Sequence, residues 1–142
     1  MSLKKGKFNH NDKYFMSLAL NLARDRAGLT GENPPVGCII VKNNEIISYG
    51  QTSINGRPHA EYNAIKSCKK NLKGSKMYVT LEPCCHFAKT PPCTNIIINS
   101  KIKEVFFSIE DPDIRTKSKS FNILKKKKIK VRTGLLNNEA KK

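Results

Sequence analysis

The chain has 142 residues, a length that fits one domain with a hydrophobic core of its own. Its 27 Lys and Arg residues against 11 Asp and Glu residues give a formal net charge of +16, which favours contact with anions unless the lysines form only a solvated surface. No stretch approaches the roughly 20 apolar residues that span a bilayer, and residues 1–10 lack the apolar core of a signal peptide, so we expect a cytoplasmic protein with no membrane partner.

Helix and strand patterns alternate along the chain. Asn11 and Asp12 can cap a first helix, and Pro58 fits the first turn of a second. A short apolar run followed by an Asn-Asn pair indicates a β-hairpin. The predicted helices are residues 12–27, 59–68, 93–99 and 121–127, and the predicted strands are 36–41, 45–49, 76–81, 104–109 and 129–133.

This order of elements predicts an α/β fold. Strands that alternate with helices pair in parallel and carry the helices on their faces, whereas the hairpin adds an antiparallel pair. We therefore expect a three-layer α/β/α sandwich with a mixed five-stranded sheet. We also expect a flexible N-terminal segment over residues 1–10 and a single domain over residues 11–142.

Chemistry-bearing residues lie where the predicted strands give way to helices. His59 opens one helix, Cys84 follows a strand, and Cys93 opens the next helix. Functional sites of α/β sheets gather at such junctions, so these side chains are expected to meet. A catalytic zinc commonly has three protein ligands and leaves its fourth position to water. The exposed amides of a helix N-terminus also favour the thiolate that zinc needs, which is expected to help Cys93.

Glu61 lies two residues after His59, beside the predicted metal site without being one of its ligands. Zinc lowers the pKa of the water that it binds towards about 7, and a neighbouring carboxylate can carry the protons of a hydrolysis. His-x-Glu followed by Pro-Cys is the general signature of zinc-dependent deaminases. Cys85 or His86 could instead supply a fourth ligand, and the zinc would then be structural.

Several stretches of the sequence resemble the deaminase domain of the bacterial bifunctional riboflavin-biosynthesis deaminase/reductase, a member of the cytidine deaminase-like superfamily. The resemblance extends from about residue 12 to residue 136. The Cys-to-Cys spacing, with TPPC in place of the usual Pro-Cys-x-x-Cys, is fairly specific to that family. The matching stretches are NPPVGCIIV at 33–41, HAE at 59–61, YVTLEPC at 78–84, EPCCHFAKTPPC at 82–93 and DPD at 111–113.

The resemblance implies a substrate and the residues that bind it. The substrate would be 2,5-diamino-6-ribosylamino-4(3H)-pyrimidinone 5′-phosphate, which would lose the amine of ring carbon 2 as ammonia. The resemblance also implies Cys93 as the second zinc thiolate and Asn33 as the contact to the pyrimidine. Lys89 and Asp111 would help to hold the ribose phosphate, and Asp113 lies beside them.

The sequence departs from the family pattern around the substrate. Thr52 replaces a frequent histidine, and Ala88 replaces the glycine before the loop lysine. Asp113 replaces an asparagine, and its charge would repel a phosphate unless nearby cations compensate for it. The candidate cations are Arg115, Lys117 and Lys119.

Two other functions stay open at this point. A net charge of +16 suits a deaminase that acts on a tRNA base or another nucleic acid, although aromatic residues for base stacking make up only 7% of the chain and a nucleic-acid partner is therefore not expected. A zinc-stabilised interaction module without activity is the other alternative. A homodimer or higher oligomer, and a reductase that is fused or separate, are expected partners.

Overall fold

The computed structural model describes residues 8–86 and 90–141. The sheet is built from strands that closely follow the predicted segments. The helices are α1 (His10–Asp25), α2 (Ala60–Ser67), α3 (Cys93–Asn99), α4 (Lys119–Lys126) and α5 (Asn137–Ala140), and the strands are β1 (Gly37–Lys42), β2 (Glu45–Gln51), β3 (Lys76–Leu81), β4 (Glu104–Ile109) and β5 (Lys130–Thr133).

Helix ends differ most from the sequence-based predictions. The cap of α1 is Asn9, whose side chain accepts a hydrogen bond from the Asp12 amide while the Asp12 carboxylate accepts one from the Asn9 amide. The prediction that Asn11 or Asp12 caps this helix was therefore wrong, because Asp12 lies inside the first turn as the second half of a capping box. Pro58 precedes the cap His59 and lies outside the first turn of α2. Helix α5 was not predicted.

The five strands of the described chain form one mixed sheet in the order β2-β1-β3-β4-β5. Strand β1 pairs antiparallel with β2 and with β3, whereas β3, β4 and β5 pair in parallel. Strand β1 therefore separates β2 from β3. Because β3 and β4 run in parallel, the loops that follow them lie at the same edge of the sheet.

Helices cover both faces of the sheet, which confirms the predicted three-layer sandwich. Helices α2, α3 and α4 pack on one face, over a core that includes Met77, Val79 and Phe107. Helices α1 and α5 cover the other face, where Tyr78 and Phe106 stack with ring centroids 4.4 Å apart. Alternate residues of one strand thus enter opposite cores. Within the described parts of the chain, no helix has the length and apolar character needed to cross a bilayer.

A close approach between β2 and α2 fixes the helix that carries His59 and Glu61. A Cβ atom on Gly50 would lie 2.5 Å from both the Ala60 carbonyl oxygen and the Ala64 amide nitrogen, closer than real Cβ contacts allow. Glycine at this position therefore lets the first turn of α2 lie directly against the sheet.

The predicted flexible segment, residues 1–10, falls mostly outside the described residues. The division of the chain into that segment and a domain over 11–142 stays a prediction.

Candidate functional site

Three elements bring the predicted metal ligands together. His59 is the N-cap of α2, Cys84 lies three residues beyond the end of β3, and Cys93 is the first residue of α3. One ligand atom from each of these side chains lies within 4.8 Å of the other two. The ends of two helices and one strand thus converge, as the junction argument predicted.

The distances between these atoms match those around a tetrahedral zinc. His59 Nδ1 lies 3.7 Å from Cys84 Sγ and 3.5 Å from Cys93 Sγ. Zinc–sulfur bonds of about 2.3 Å and zinc–nitrogen bonds of about 2.0–2.1 Å, at tetrahedral angles, place sulfur and nitrogen roughly 3.5 Å apart. The donor set, one imidazole and two sulfurs, is also the kind that zinc prefers.

The contact between Cys84 and Cys93 shifts the pKa values of the two thiols in opposite directions. The hydrogen bond with Cys93, together with the one to His59, lowers the pKa of Cys84 to about 4. The same hydrogen bond with Cys84, followed by burial, raises the pKa of Cys93. A divalent cation between them would favour both thiolates, because its charge stabilises each one.

The N-terminus of α3 also contacts Cys84, while the effect predicted for Cys93 stays a prediction. The backbone amide of Cys93 donates a hydrogen bond of 3.2 Å to Cys84 Sγ. The first turn of α3 therefore supplies one ligand and hydrogen-bonds to another.

The two residues that could complete a four-ligand site have other partners and lie outside the cluster. Cys85 Sγ donates to the Arg115 carbonyl at 3.5 Å, and His86 Nδ1 lies 2.8 Å from Thr116 Oγ1. Among the described residues, the cluster holds only His59, Cys84 and Cys93. Such a three-donor set leaves room for water, as catalytic zinc sites do.

Glu61 lies on the first turn of α2 and is only 4% exposed. Burial, with a smaller contribution from the nearby Cys84, raises its pKa to about 7. A carboxyl group that takes up and releases a proton near neutral pH suits general acid–base catalysis.

A cavity of about 580 Å³ opens over the cluster. This volume lies within the range of sites for small organic ligands. His59, Cys84 and Glu61 lie in its wall, together with the predicted substrate contacts Asn33, Asp111 and Asp113. Lys89 and Ala88 lie outside the described residues, so the role predicted for Lys89 stays a prediction.

Asn33 is held in the cavity wall by the loop before α2. Its side-chain amide donates a 3.0 Å hydrogen bond to the Gly56 carbonyl. Gly56 has a φ of +100°, and a Cβ atom there would lie 2.7 Å from Asn33 Nδ2. Thr52 lines the same cavity, and its Oγ1 accepts a 2.9 Å hydrogen bond from the Val36 amide. The close fit of Gly56 therefore orients Asn33.

The negative charge of Asp113 is matched by Arg115, one of the cations proposed to compensate for it. Arg115 Nη2 lies 2.6 Å from Asp113 Oδ2, and Arg115 Nε donates to both carboxylate oxygens. This guanidinium holds the pKa of Asp113 well below its usual range. Both residues line the cavity, whereas Lys117 lines a different one.

Arg57 is a cation of the cavity that the sequence analysis did not identify. It lies two residues before His59, and its Nη1 donates a 2.6 Å hydrogen bond to Thr90 Oγ1. The described residues show no ion pair to Arg57, so its charge can meet a substrate anion. The sequence feature that could have identified Arg57 is its position in the loop directly before the HAE motif.

Comparisons with known proteins agree with this geometry. Residues 9–109 match the family model for the cytidine and deoxycytidylate deaminase zinc-binding region. The chain is 43% identical over 131 residues to the diaminohydroxyphosphoribosylamino-pyrimidine deaminase of Buchnera aphidicola subsp. Schizaphis graminum, covering 92% of this chain and 89% of that protein. It is also 43% identical over 129 residues to the riboflavin biosynthesis protein RibD of Bacillus amyloliquefaciens, covering 91% of this chain but only 35% of that protein.

A solved structure shows the same architecture. The deaminase/reductase of Thermotoga maritima superposes with a TM-score of 0.89 at 40% identity, covering 93% of this chain and 38% of the other. The chain thus spans about a third of the bifunctional relatives and most of the Buchnera protein. It belongs to the zinc-binding cytidine and deoxycytidylate deaminase family, and within that family to the riboflavin-biosynthesis deaminases that its sequence resembles.

Proposed function

We propose that this protein is a zinc-dependent hydrolase that removes the amine from ring carbon 2 of 2,5-diamino-6-ribosylamino-4(3H)-pyrimidinone 5′-phosphate. The observation that carries the proposal is the placement of Glu61 beside a three-donor cluster at the wall of a cavity large enough for this substrate. Relatives named for this activity support it.

His59, Cys84 and Cys93 would hold the zinc. When bound, zinc supplies the activated water that the hydrolysis consumes. Glu61 would take one proton from the attacking water and deliver it to the ring nitrogen, and would then carry the second proton, from the new hydroxyl on ring carbon 2, to the departing amine. One water enters and one ammonia leaves, so Glu61 ends the cycle in the state in which it began.

The rest of the cavity would bind the substrate by its polar groups. Asn33 contacts the pyrimidine, while Asp111 and Lys89 hold the ribose phosphate. Arg57 and Arg115 add positive charge at the wall. Asp113 keeps Arg115 in place through their ion pair and therefore acts on the phosphate indirectly.

No specific observation favours the nucleic-acid substrate or the inactive module. The product is a substrate for a reductase, which would be either fused to this domain in a longer chain or separate. A homodimer or higher oligomer and a cytoplasmic location stay predictions.

The proposal is tested by measuring ammonia release from the zinc-loaded protein. We expect rapid release from the diaminopyrimidine ribotide, much slower release from the same compound without its 5′-phosphate, and none from cytidine or adenosine in RNA. Faster release from a nucleoside or from RNA would contradict the proposed substrate. No release from any of them would contradict the proposed chemistry.

A further inference from the structure

A buried carboxylate with no established role lies in the wall of the substrate cavity, beside the metal cluster. Glu82 directly follows β3, two residues before Cys84, and is only 2% exposed. No ion pair to it occurs among the described residues. An unpaired buried carboxylate is costly unless hydrogen bonds compensate for it, so its partners show what it does.

The two oxygens of Glu82 accept hydrogen bonds from the segment between β4 and α4 and from the first turn of α4. Glu82 Oε1 accepts from the Asp111 amide at 3.2 Å and from the Ser118 amide at 3.0 Å. Glu82 Oε2 accepts from the Ser120 hydroxyl at 2.7 Å and from the Ser120 amide at 3.3 Å. One carboxylate therefore joins the two ends of a loop and the first turn of the helix that follows it.

This loop, residues 111–118, carries the cavity residues Asp111, Asp113 and Arg115. Helix α4 has no side-chain cap of its own, because Ser118 makes no capping hydrogen bond. The Glu82 carboxylate, which lies just after β3, accepts hydrogen bonds from the backbone amides at the N-terminus of α4. A negative charge is also favourable at that end of a helix. Since Glu82 and Cys84 lie on the same short segment, the position of the loop is tied directly to that of a metal ligand.

We propose that Glu82 is a positioning residue that sets the substrate-binding loop, residues 111–118, at a fixed distance from the metal cluster. This inference rests on the proposed function and assigns Glu82 no contact with the reacting atoms. Its expected effect is on substrate binding, through Asp111 and Arg115, more than on the chemical step.

Glu82→Gln is the sharpest variant, since the side chains have the same shape. An amide has only one accepting oxygen, so its NH2 group would face N–H donors on one side. Hydrogen bonds to charged groups are the stronger ones, and we expect KM for the ribotide to rise about tenfold or more, with kcat reduced by less than about threefold. Zinc content is expected to stay the same as in the wild type.

Glu110→Gln is the matched control. Glu110 belongs to the same segment and accepts a 2.9 Å hydrogen bond from the Ser118 hydroxyl, but it lines a different cavity. The KM of the Glu110→Gln variant is expected to stay within about twofold of the wild type, because the glutamine oxygen can still accept the hydrogen bond from the Ser118 hydroxyl.

Ser120→Ala tests the positioning role of Glu82 if the Glu82→Gln variant does not fold. It removes only the 2.7 Å hydroxyl bond to Glu82, and we expect KM to rise about threefold with kcat unchanged. The proposal would be overturned if the folded variant, Glu82→Gln or Ser120→Ala, kept the KM of the wild type. It would also be overturned if only kcat fell or if the variant lost its zinc. An inactive wild type would overturn the proposed function as well, whereas an active wild type with an unaffected variant would overturn this inference alone.

Discussion

Replacing Glu61 with glutamine separates proton transfer from metal binding. The two side chains have nearly the same volume, and Glu61 is 4% exposed, so the substitution keeps the packing of the first turn of α2. The cluster keeps its donors His59, Cys84 and Cys93. The protein should therefore still fold and bind one zinc per chain.

The expected loss is in kcat. An amide cannot take a proton from water or return one to the departing amine, and such positioned proton transfer contributes about 10²- to 10⁴-fold to a rate. We therefore expect kcat for ammonia release to fall by about that factor while KM changes little. Steady-state kinetics with a zinc measurement on the same sample would check this.

Glu32→Gln is the matched control, because Glu32 is an exposed carboxylate at the same cavity. Its kcat is expected to stay close to that of the wild type. A Glu61→Gln variant that keeps kcat within tenfold of the wild type, with zinc bound, would refute the assignment of Glu61 as the proton carrier.

Other substitutions test the cavity and the core. Gly56→Ala should displace the Gly56 loop and Asn33 with it and raise KM for the ribotide, since the new Cβ would lie 2.6 Å from the Thr30 carbonyl oxygen and 2.7 Å from Asn33 Nδ2; an unchanged KM would count against Asn33 as a substrate contact. Arg57→Gln should raise KM about tenfold for the phosphorylated substrate and little for its dephosphorylated form, and equal effects on both would argue against a phosphate contact. Tyr78→Phe removes a buried 2.7 Å hydrogen bond to Asp12 Oδ1 and should lower the free energy of unfolding by about 1–3 kcal/mol in urea titrations; no loss would show that Asp12 finds another partner.

Local patterns predicted the elements around the metal cluster closely. Strands β3 and β4 and helix α3 begin and end at the predicted residues, because apolar runs and the prolines before Cys93 mark their ends. The proposed ligands His59 and Cys84 and the proposed proton carrier Glu61 follow from the His-x-Glu and Pro-Cys pattern that zinc chemistry constrains. The role proposed for Cys93 as the second thiolate came from the family resemblance.

Features that depend on distant partners could not be predicted in the same way. The start of α4 at Lys119, two residues before the predicted start, depends on hydrogen bonds from its first turn to Glu82. The cap of α1 is Asn9, which forms a capping box with Asp12. The sequence offered Asn11 and Asp12 as equally suitable caps, so the pattern alone did not select Asn9. The order of the strands, with β1 between β2 and β3, was likewise invisible in the local sequence.

The most direct test of hydrolytic deamination is to run the zinc-loaded protein with the ribotide in water enriched in ¹⁸O and to analyse the product by mass spectrometry. We predict that the product carries the heavy oxygen at ring carbon 2 and that ammonia is released in equal amount. A ribotide recovered unchanged, or ammonia released without heavy oxygen in the product, would contradict the mechanism.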